Sequence, residues 1–255
     1  MNVLTIVKVG GQIVEEPEAL GGLLKQFALI AGNKILVHGG GRSATEMAEK
    51  LGVVSEIVDG RRVTDAEMLK IVTMVYAGLV NKNIVASLQS MGVDAIGLTG
   101  ADMNMMLSVR RPVGNVDYGF VGDVRTVNAQ ALIELLRSGY TPVLAPISHD
   151  GQGQLLNTNA DTIAASVARV FAFDYRVRLV YCFEKSGVLL DENDDNSVIS
   201  ELNKETYLNY REEGIIKGGM VPKLDNAFLA LSAGLEEVLI TSASNMTNGR
   251  GTHIR

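Results

Sequence analysis

Short apolar runs that end at glycines, each followed by a stretch with helical periodicity, constrain this chain more than any other feature. Leu4 to Val9 is apolar apart from Lys8 and stops at Gly10-Gly11. Ala19 to Ile30 carries apolar residues at helical spacing and closes at Gly32. Lys34 to Val37 is a second short strand ended by His38-Gly39-Gly40-Gly41, after which Arg42 to Leu51 reads as a helix. Val53 to Val63 looks like a hairpin, and Thr64-Asp65-Ala66-Glu67 reads as a capping box opening a helix to about Met91. Val93 to Leu98 is a strand, Leu107 to Val127 a set of antiparallel strands and turns, and Asn128 caps a helix ending at Gly139. Thr141 to Ala145 is again a strand.

The second half continues the alternation. Ala160 to Phe171, Leu202 to Glu213 and Met220 to Ala233 read as helices, Arg178 to Phe183 and Glu237 to Thr241 as strands. Glu192 to Asn196 is an acidic surface loop. Such alternation predicts an α/β protein, a three-layer αβα sandwich whose central sheet is mainly parallel. A seam near Ser148 to Gly153 would divide it into two lobes, residues 1–150 and 151–255.

Composition excludes several classes. With 255 residues, 47% of them hydrophobic, the chain can bury a substantial core. A formal net charge of −6 argues against a nucleic-acid partner, which usually meets a basic excess. The longest apolar stretches read as short strands, below the length of a membrane span. The N-terminus reads as a strand and lacks a signal peptide's charged and apolar regions, so a cytoplasmic protein with no membrane partner is expected. One cysteine, Cys182, and three histidines, His38, His149 and His253, rule out an internal disulfide and a Cys/His zinc cluster. No G-x-x-x-x-G-K-[ST], G-x-S-x-G or H-E-x-x-H occurs, and no G-x-G-x-x-G stands at a strand-to-helix turn.

Five segments carry candidate chemistry. Lys8 sits inside an apolar strand just before two glycines, where burial is costly unless an anion compensates; alternatively it snorkels from the strand end. Gly39-Gly40-Gly41 opens a helix and offers backbone N–H groups suited to a phosphate, although such turns are also common structural devices. Arg61 and Arg62 precede a helix; Arg62 is the candidate fork for a carboxylate and Arg61 is read as surface. In Asn157-Thr158-Asn159-Ala160-Asp161, Asn159 is a ready N-cap and Asp161 a first-turn charge. Lys217-Gly218-Gly219-Met220-Val221-Pro222-Lys223 is another glycine turn entering a helix.

Taken in order with Gly97-Leu98-Thr99-Gly100, these segments span nearly the whole chain. Together they resemble the amino acid kinase family, and within it most closely the kinases acting on N-acetylglutamate in arginine biosynthesis. The resemblance implies ATP-dependent phosphorylation of the side-chain carboxylate of an N-acyl-L-glutamate, N-acetyl or N-succinyl, to an acyl phosphate. That is the second step of arginine and ornithine biosynthesis. It implies that Lys8 and Lys223 stabilise the transition state and that Asp161 orients both lysines. Gly40, Gly41, Arg62 and Asn157 would hold the substrate. Gly10 and Gly11 would face phosphates, with Lys217, Gly218 and Gly219 at ATP and the nucleotide passing near Phe183 to Val188. Residues 1–150 would carry the acyl-amino-acid and transfer site, residues 151–255 the ATP site. Mg²⁺ would arrive on the ATP phosphates, with no metal ligand from the protein. A γ-carboxylate with a pKa of about 4.3 is already ionised at neutral pH, which accounts for the lack of a histidine base.

The chain departs from the family pattern twice. Phe183-Glu184-Lys185-Ser186-Gly187 lacks the usual aspartate before the glycine, and Asp102-Met103-Asn104-Met105-Met106 replaces an Asp-Gly pair. The methionines are either core or part of a reshaped acyl pocket. Because Lys8 lies close to Met1, with no room for the helix that joins arginine-inhibited relatives into hexamers, a homodimer insensitive to arginine is expected. The alternatives are another carboxylate or phosphate kinase of this family, a non-catalytic nucleotide-binding protein on the same fold, and, third, a dehydrogenase.

Overall fold

The computed structural model describes residues 2–58, 60–235 and 237–255. Met1, at the head of the expected first strand, and Asp59, inside the expected hairpin, lie outside the described residues. The first half runs β1 (Asn2–Val9), α1 (Gly11–Glu15), α2 (Pro17–Ala28), β2 (Asn33–His38), α3 (Gly41–Lys50), β3 (Ile57–Val58) and β4 (Arg61–Arg62). There follow α4 (Ala66–Val72), a π-helical segment (Thr73–Val80), α5 (Asn81–Ser90), β5 (Ala95–Leu98), β6 (Met106–Arg110) and β7 (Gly122–Val127). Then come α6 (Ala129–Arg137), β8 (Thr141–Leu144), β9 (Ile147–His149), β10 (Leu155–Asn157), α7 (Ala160–Phe171) and β11 (Tyr175–Phe183). The chain ends with β12 (Glu201–Leu202), α8 (Lys204–Glu212), α9 (Met220–Ser232), β13 (Val238–Ser242) and β14 (Thr252–Ile254).

Eight strands form the central sheet in the order β12-β14-β13-β11-β1-β2-β8-β5, and only the β13–β14 pair is antiparallel. The alternation of side chains along a strand gives the sheet two apolar faces. Leu4 and Ile6 of β1, Val37 of β2 and Tyr181 of β11 share one core with Ile163 and Phe171 of α7 and Leu224 of α9. Val7 and Val9, Leu36 and Val180 share the opposite core with Leu24 and Phe27 of α2, Val72 of α4 and Ile84 of α5. The expected three layers are therefore present. A four-stranded sheet, β10-β9-β6-β7, and the β3–β4 hairpin form the rest of the β structure among the described residues.

Local signals differ from expectation in two places. The long helix is capped one residue later than the Thr64 box suggests: Asp65 is its N-cap and accepts from the Met68 N–H at 2.7 Å. Thr64 is taken up elsewhere, accepting from Asn157. The helical run Ala66–Ser90, with a mean hydropathy of 1.4 over its most apolar window, is long and apolar enough to cross a membrane. It is longer than the short strands expected to be the longest apolar stretches, and its composition follows from the core it packs into. Its buried face, including Val72, Val75, Tyr76, Ile84 and Leu88, packs under the sheet. Met105 and Met106 are buried in the first core and Met103 is exposed, so none of the three lines the cleft described below. Ser148 to Gly153, the expected seam, spans the end of β9 and the turn toward β10.

Candidate active site

The register of the sheet gathers the glycine turns. Val9 pairs with His38 on one side and with Cys182 on the other, so the turns after β1, β2 and β11 leave the sheet together. Ligands of parallel sheets bind at this carboxyl edge. A Cβ on Gly39 would lie 3.3 Å from the Gly11 nitrogen, and one on Gly11 would lie 3.7 and 3.8 Å from the nitrogens of Gly41 and Gly40. Backbone therefore packs on backbone, and amide groups are concentrated where side chains would have separated them. At Gly40 the backbone has φ of 150° and an added Cβ would meet the Tyr76 ring at 3.1 Å.

These turns border a cleft of about 490 Å³. Seven of the residues singled out from sequence line it: Lys8, Gly11, Gly40, Gly41, Arg62, Asn157 and Asp161. Gly10 lies at its back, donating its N–H to the Cys182 carbonyl at 2.9 Å. Lys217, Gly218, Gly219 and Lys223 do not line it; they belong to the turn before α9 and its first helical turn. Gly218 has φ of 57°, a left-handed conformation that favours glycine.

Lys8 points from β1 to the same face as Leu4 and Ile6, toward the first turn of α7. There its Nζ meets the Asp161 carboxylate at 2.7 Å, with both side chains almost fully buried. The anion that a buried Lys8 requires is thus Asp161. Asn159 caps α7 by accepting from the Thr162 N–H at 3.0 Å, which aligns the turn that carries Asp161. Lys223 is not in direct contact with this pair. Its Nζ donates to the Gly219 carbonyl at 3.1 Å, so Asp161 holds Lys8 and reaches Lys223 only through its field. Burial lowers the Lys223 pKa from the usual lysine value; Asp161 opposes that shift and Lys8 adds to it. Lys217 is exposed and paired with Glu192 at 3.2 Å.

Arg62 is buried at the other side of the cleft. One guanidinium nitrogen donates to the Gly41 carbonyl at 2.6 Å and to Thr45 Oγ1 at 2.9 Å, and another to Ser55 Oγ. Its Nε is buried without a partner. Asn157 Nδ2 donates to Thr64 Oγ1 at 2.9 Å, tying β10 to the loop before α4. Arg61, read from sequence as surface, instead lines the cleft and is only partly exposed, because the β3–β4 hairpin folds over it. Burial lowers its pKa, and the neighbouring Arg111 lowers it further.

Sequence reasoning missed Glu15. Its Oε1 accepts from the Ser43 N–H at 2.9 Å, capping α3, while Oε2 is buried and unpartnered. Burial raises its pKa, opposed by the backbone hydrogen bonds from Ser43 and Arg42. With the Ser43 and Arg42 N–H groups taken by Glu15, the amides left for an external anion are those of the glycine turn before Arg42. Glu15 lies at the end of an apolar helix, where an acidic residue reads as surface; a carboxylate near a glycine-led helix start was the available clue.

His38 is fully buried and its pKa is lowered to about 4, chiefly by desolvation. In the unfolded chain it titrates near 6.5 and takes up a proton the folded state refuses, so stability falls as pH drops from 6.5 toward 4. The expected loss from this group is about 3 kcal/mol. Urea unfolding across that range measures it, and His38→Asn should flatten the profile.

The amino acid kinase family matches residues 3–242. A protein of Parabacteroides distasonis called acetylglutamate kinase is 60% identical over 254 residues, covering 100% of both chains. Another of that name from Phocaeicola vulgatus is 61% identical, covering 99% of this chain and 98% of its own. One from Methanopyrus kandleri is 41% identical over 99% of this chain and 100% of its own. A Streptococcus mutans protein of known structure superposes with a TM-score of 0.80 at 26% identity, covering 98% of each chain. The carbamate kinase of Giardia lamblia bound to AMP-PNP shares the fold, with a TM-score of 0.72 at 12% identity and coverage of 99% and 98%. With glycine turns meeting at the sheet edge, a buried Lys8–Asp161 pair beneath them and a match along nearly its full length, this chain belongs to the amino acid kinase family.

Proposed function

We propose that the chain is an ATP-dependent kinase that phosphorylates the side-chain carboxylate of N-acetyl-L-glutamate, a step of arginine biosynthesis. The observation that carries this reading is the joint one. Full-length relatives at about 60% identity are called acetylglutamate kinase, and the cleft combines an amide-rich turn, a buried lysine and a fixed arginine. The acceptor carboxylate is ionised at neutral pH, so the enzyme need not remove a proton. Its work is to bring two anions together in line and to offset the charge on the transferring phosphoryl group. Lys8 and the amides of Gly11, Gly40 and Gly41 act on that charge, Lys223 adds a second cation, and Asp161 holds Lys8 in place. Arg62, which lines the cleft, takes the α-carboxylate, with Asn157 beside it. Gly10, Lys217, Gly218 and Gly219 serve the nucleotide.

Residues 1–150 are assigned to the acyl-amino-acid and transfer site and residues 151–255 to ATP, with Asn157 and Asp161 reaching back into the shared cleft. Mg²⁺ would enter on ATP and offset phosphate charge, held largely by the phosphates and water. A homodimer accounts for Met74 and Leu79, both more than half exposed on the long apolar helix. Light scattering should then give twice 27.3 kDa, and a monomer would remove the dimer.

The deciding assay is ATP-dependent formation of an acyl phosphate, trapped with hydroxylamine, with N-acetylglutamate and N-succinylglutamate offered separately. Preferred turnover of the acetyl compound is expected. No product from either would leave the fold standing and end the proposal. Arg62→Lys is expected to raise KM for the acyl-amino acid about tenfold or more with a smaller change in kcat, since an ammonium cannot keep the contacts to Gly41, Thr45 and Ser55 that fix the cation in the cleft.

A further inference from the structure

A buried polar chain lies beneath the Gly39-Gly40-Gly41 turn, and none of the roles above uses it. His38, at the end of β2, brings Nδ1 to 2.7 Å from the Gly39 carbonyl oxygen. Its Nε2 lies 3.0 Å from Asn81 Nδ2, which also donates to the Val143 carbonyl at 3.0 Å. The partners dictate the protons. A carbonyl oxygen only accepts, so Nδ1 carries the ring proton, and the Asn81 NH₂ group must face Val143. The same NH₂ donates to Nε2, which is therefore bare, and the ring is neutral. Room for Asn81 depends on Gly97, where an added Cβ would lie 1.9 Å from Asn81 Oδ1.

The consequence is stereochemical. There is no cis peptide bond among the described residues. A trans peptide sets the Gly39 carbonyl and the Gly40 N–H on opposite sides. With the carbonyl drawn down onto the imidazole, the Gly40 N–H is turned up toward Gly11 and the cleft. The Tyr76 ring, against the Gly40 Cα, blocks the turn from swinging away. A flipped peptide would present a carbonyl oxygen to the phosphoryl group, replacing attraction by repulsion.

We propose that His38, oriented by Asn81, is a positioning residue that fixes the Gly39–Gly40 peptide so that the Gly40 N–H meets the transferring phosphoryl group. The inference rests on the kinase reading above. Two substitutions separate positioning from simple packing. His38→Asn places an amide donor where Nδ1 stands, whereas His38→Gln reaches the Nε2 position and loses the bond to Gly39.

The test uses the full-length protein. Long-range nitrogen-15 correlation spectra of its three histidines should show His38 neutral and protonated on Nδ1 at pH 7. His38→Gln should lower kcat about tenfold or more with KM values within about threefold, and should shift the Gly40 amide resonance. His38→Asn should rescue most of the turnover and leave that resonance near its wild-type position. An Nε2-protonated or charged ring, or equal losses and equal Gly40 shifts in the two variants, overturns the proposal. If the wild type forms no acyl phosphate, the kinase reading falls alone, and the ring tautomer with the Gly40 shifts still decides the role of His38.

Discussion

Lys223→Met is expected to lower kcat at least about a hundredfold while changing the melting temperature little. The two halves of that expectation have separate grounds. Lys223 is partly buried, and among the described residues its ammonium makes one hydrogen bond, to the Gly219 carbonyl of its own helical turn, so no distant element is hydrogen-bonded to it. Methionine keeps the apolar stem that packs beneath the turn. The kinetic loss comes from the charge balance. Lys8 already pairs with Asp161 at 2.7 Å, and Lys223, which feels Asp161 and Glu184 only through their fields, is left to follow charge as it develops on the phosphoryl oxygens. Removing one fixed partner of a developing oxyanion costs roughly 3 kcal/mol, which sets the hundredfold figure. Steady-state kinetics beside a thermal melt decides it. Turnover within tenfold of wild type would exclude Lys223 from the transfer step. Lys217 makes a useful contrast: exposed and paired with Glu192, it should alter ATP affinity only a few-fold when changed to alanine.

Much of the fold was legible because its signals are local. The helix expected over Ala160 to Phe171 occupies those residues, and the strands before Gly10 and Gly39 fall within a residue or two of their expected ends. What escaped is short or non-local. β9, β10, β12 and β14 have two or three residues each, too few for an alternation to register; β9 and β10 pair with each other across a short turn, and β12 exists because the distant β14 pairs with it. The π-helical turn Thr73–Val80 leaves no trace in a helical pattern, since the apolar stripe continues through it. At Thr64, two competent caps stood side by side, and a buried bond from Asn157 decided for Asp65.

The site was legible in a different way. Lys8 stands out as a charge inside an apolar strand, and the sequence alone implies that an anion must answer it. Which anion does so depends on β1 and α7 packing face to face across more than half the chain, and the family resemblance supplied Asp161 where spacing could not. Arg61 and Glu15 each sit at the end of a polar turn or short helix, where a charge is expected at the surface; the β3–β4 pairing instead sets Arg61 on the cleft, and the α3 terminus takes up Glu15. His38 carried a clue that went unused, a histidine placed between a buried strand and three glycines.

The Lys8–Asp161 pair has the largest expected effect on stability, and it separates structural from catalytic roles. Lys8→Met should strand a buried carboxylate and Asp161→Asn a buried ammonium, each costing about 3–5 kcal/mol. The double variant removes both charges at once, so its cost should be far below the sum, with a coupling energy of several kcal/mol. Activity should show no such recovery. The double variant lacks the cation that faces the phosphoryl group, and it should be as inactive as Lys8→Met although it is more stable. Urea unfolding of the four proteins gives the cycle, and the hydroxylamine assay run on the same samples gives the kinetics. Additive stabilities would show that the 2.7 Å contact contributes little to folding. Activity returning with stability would show that Lys8 serves only to hold Asp161, and that the charge on the phosphoryl group is met by Lys223 and the glycine amides alone.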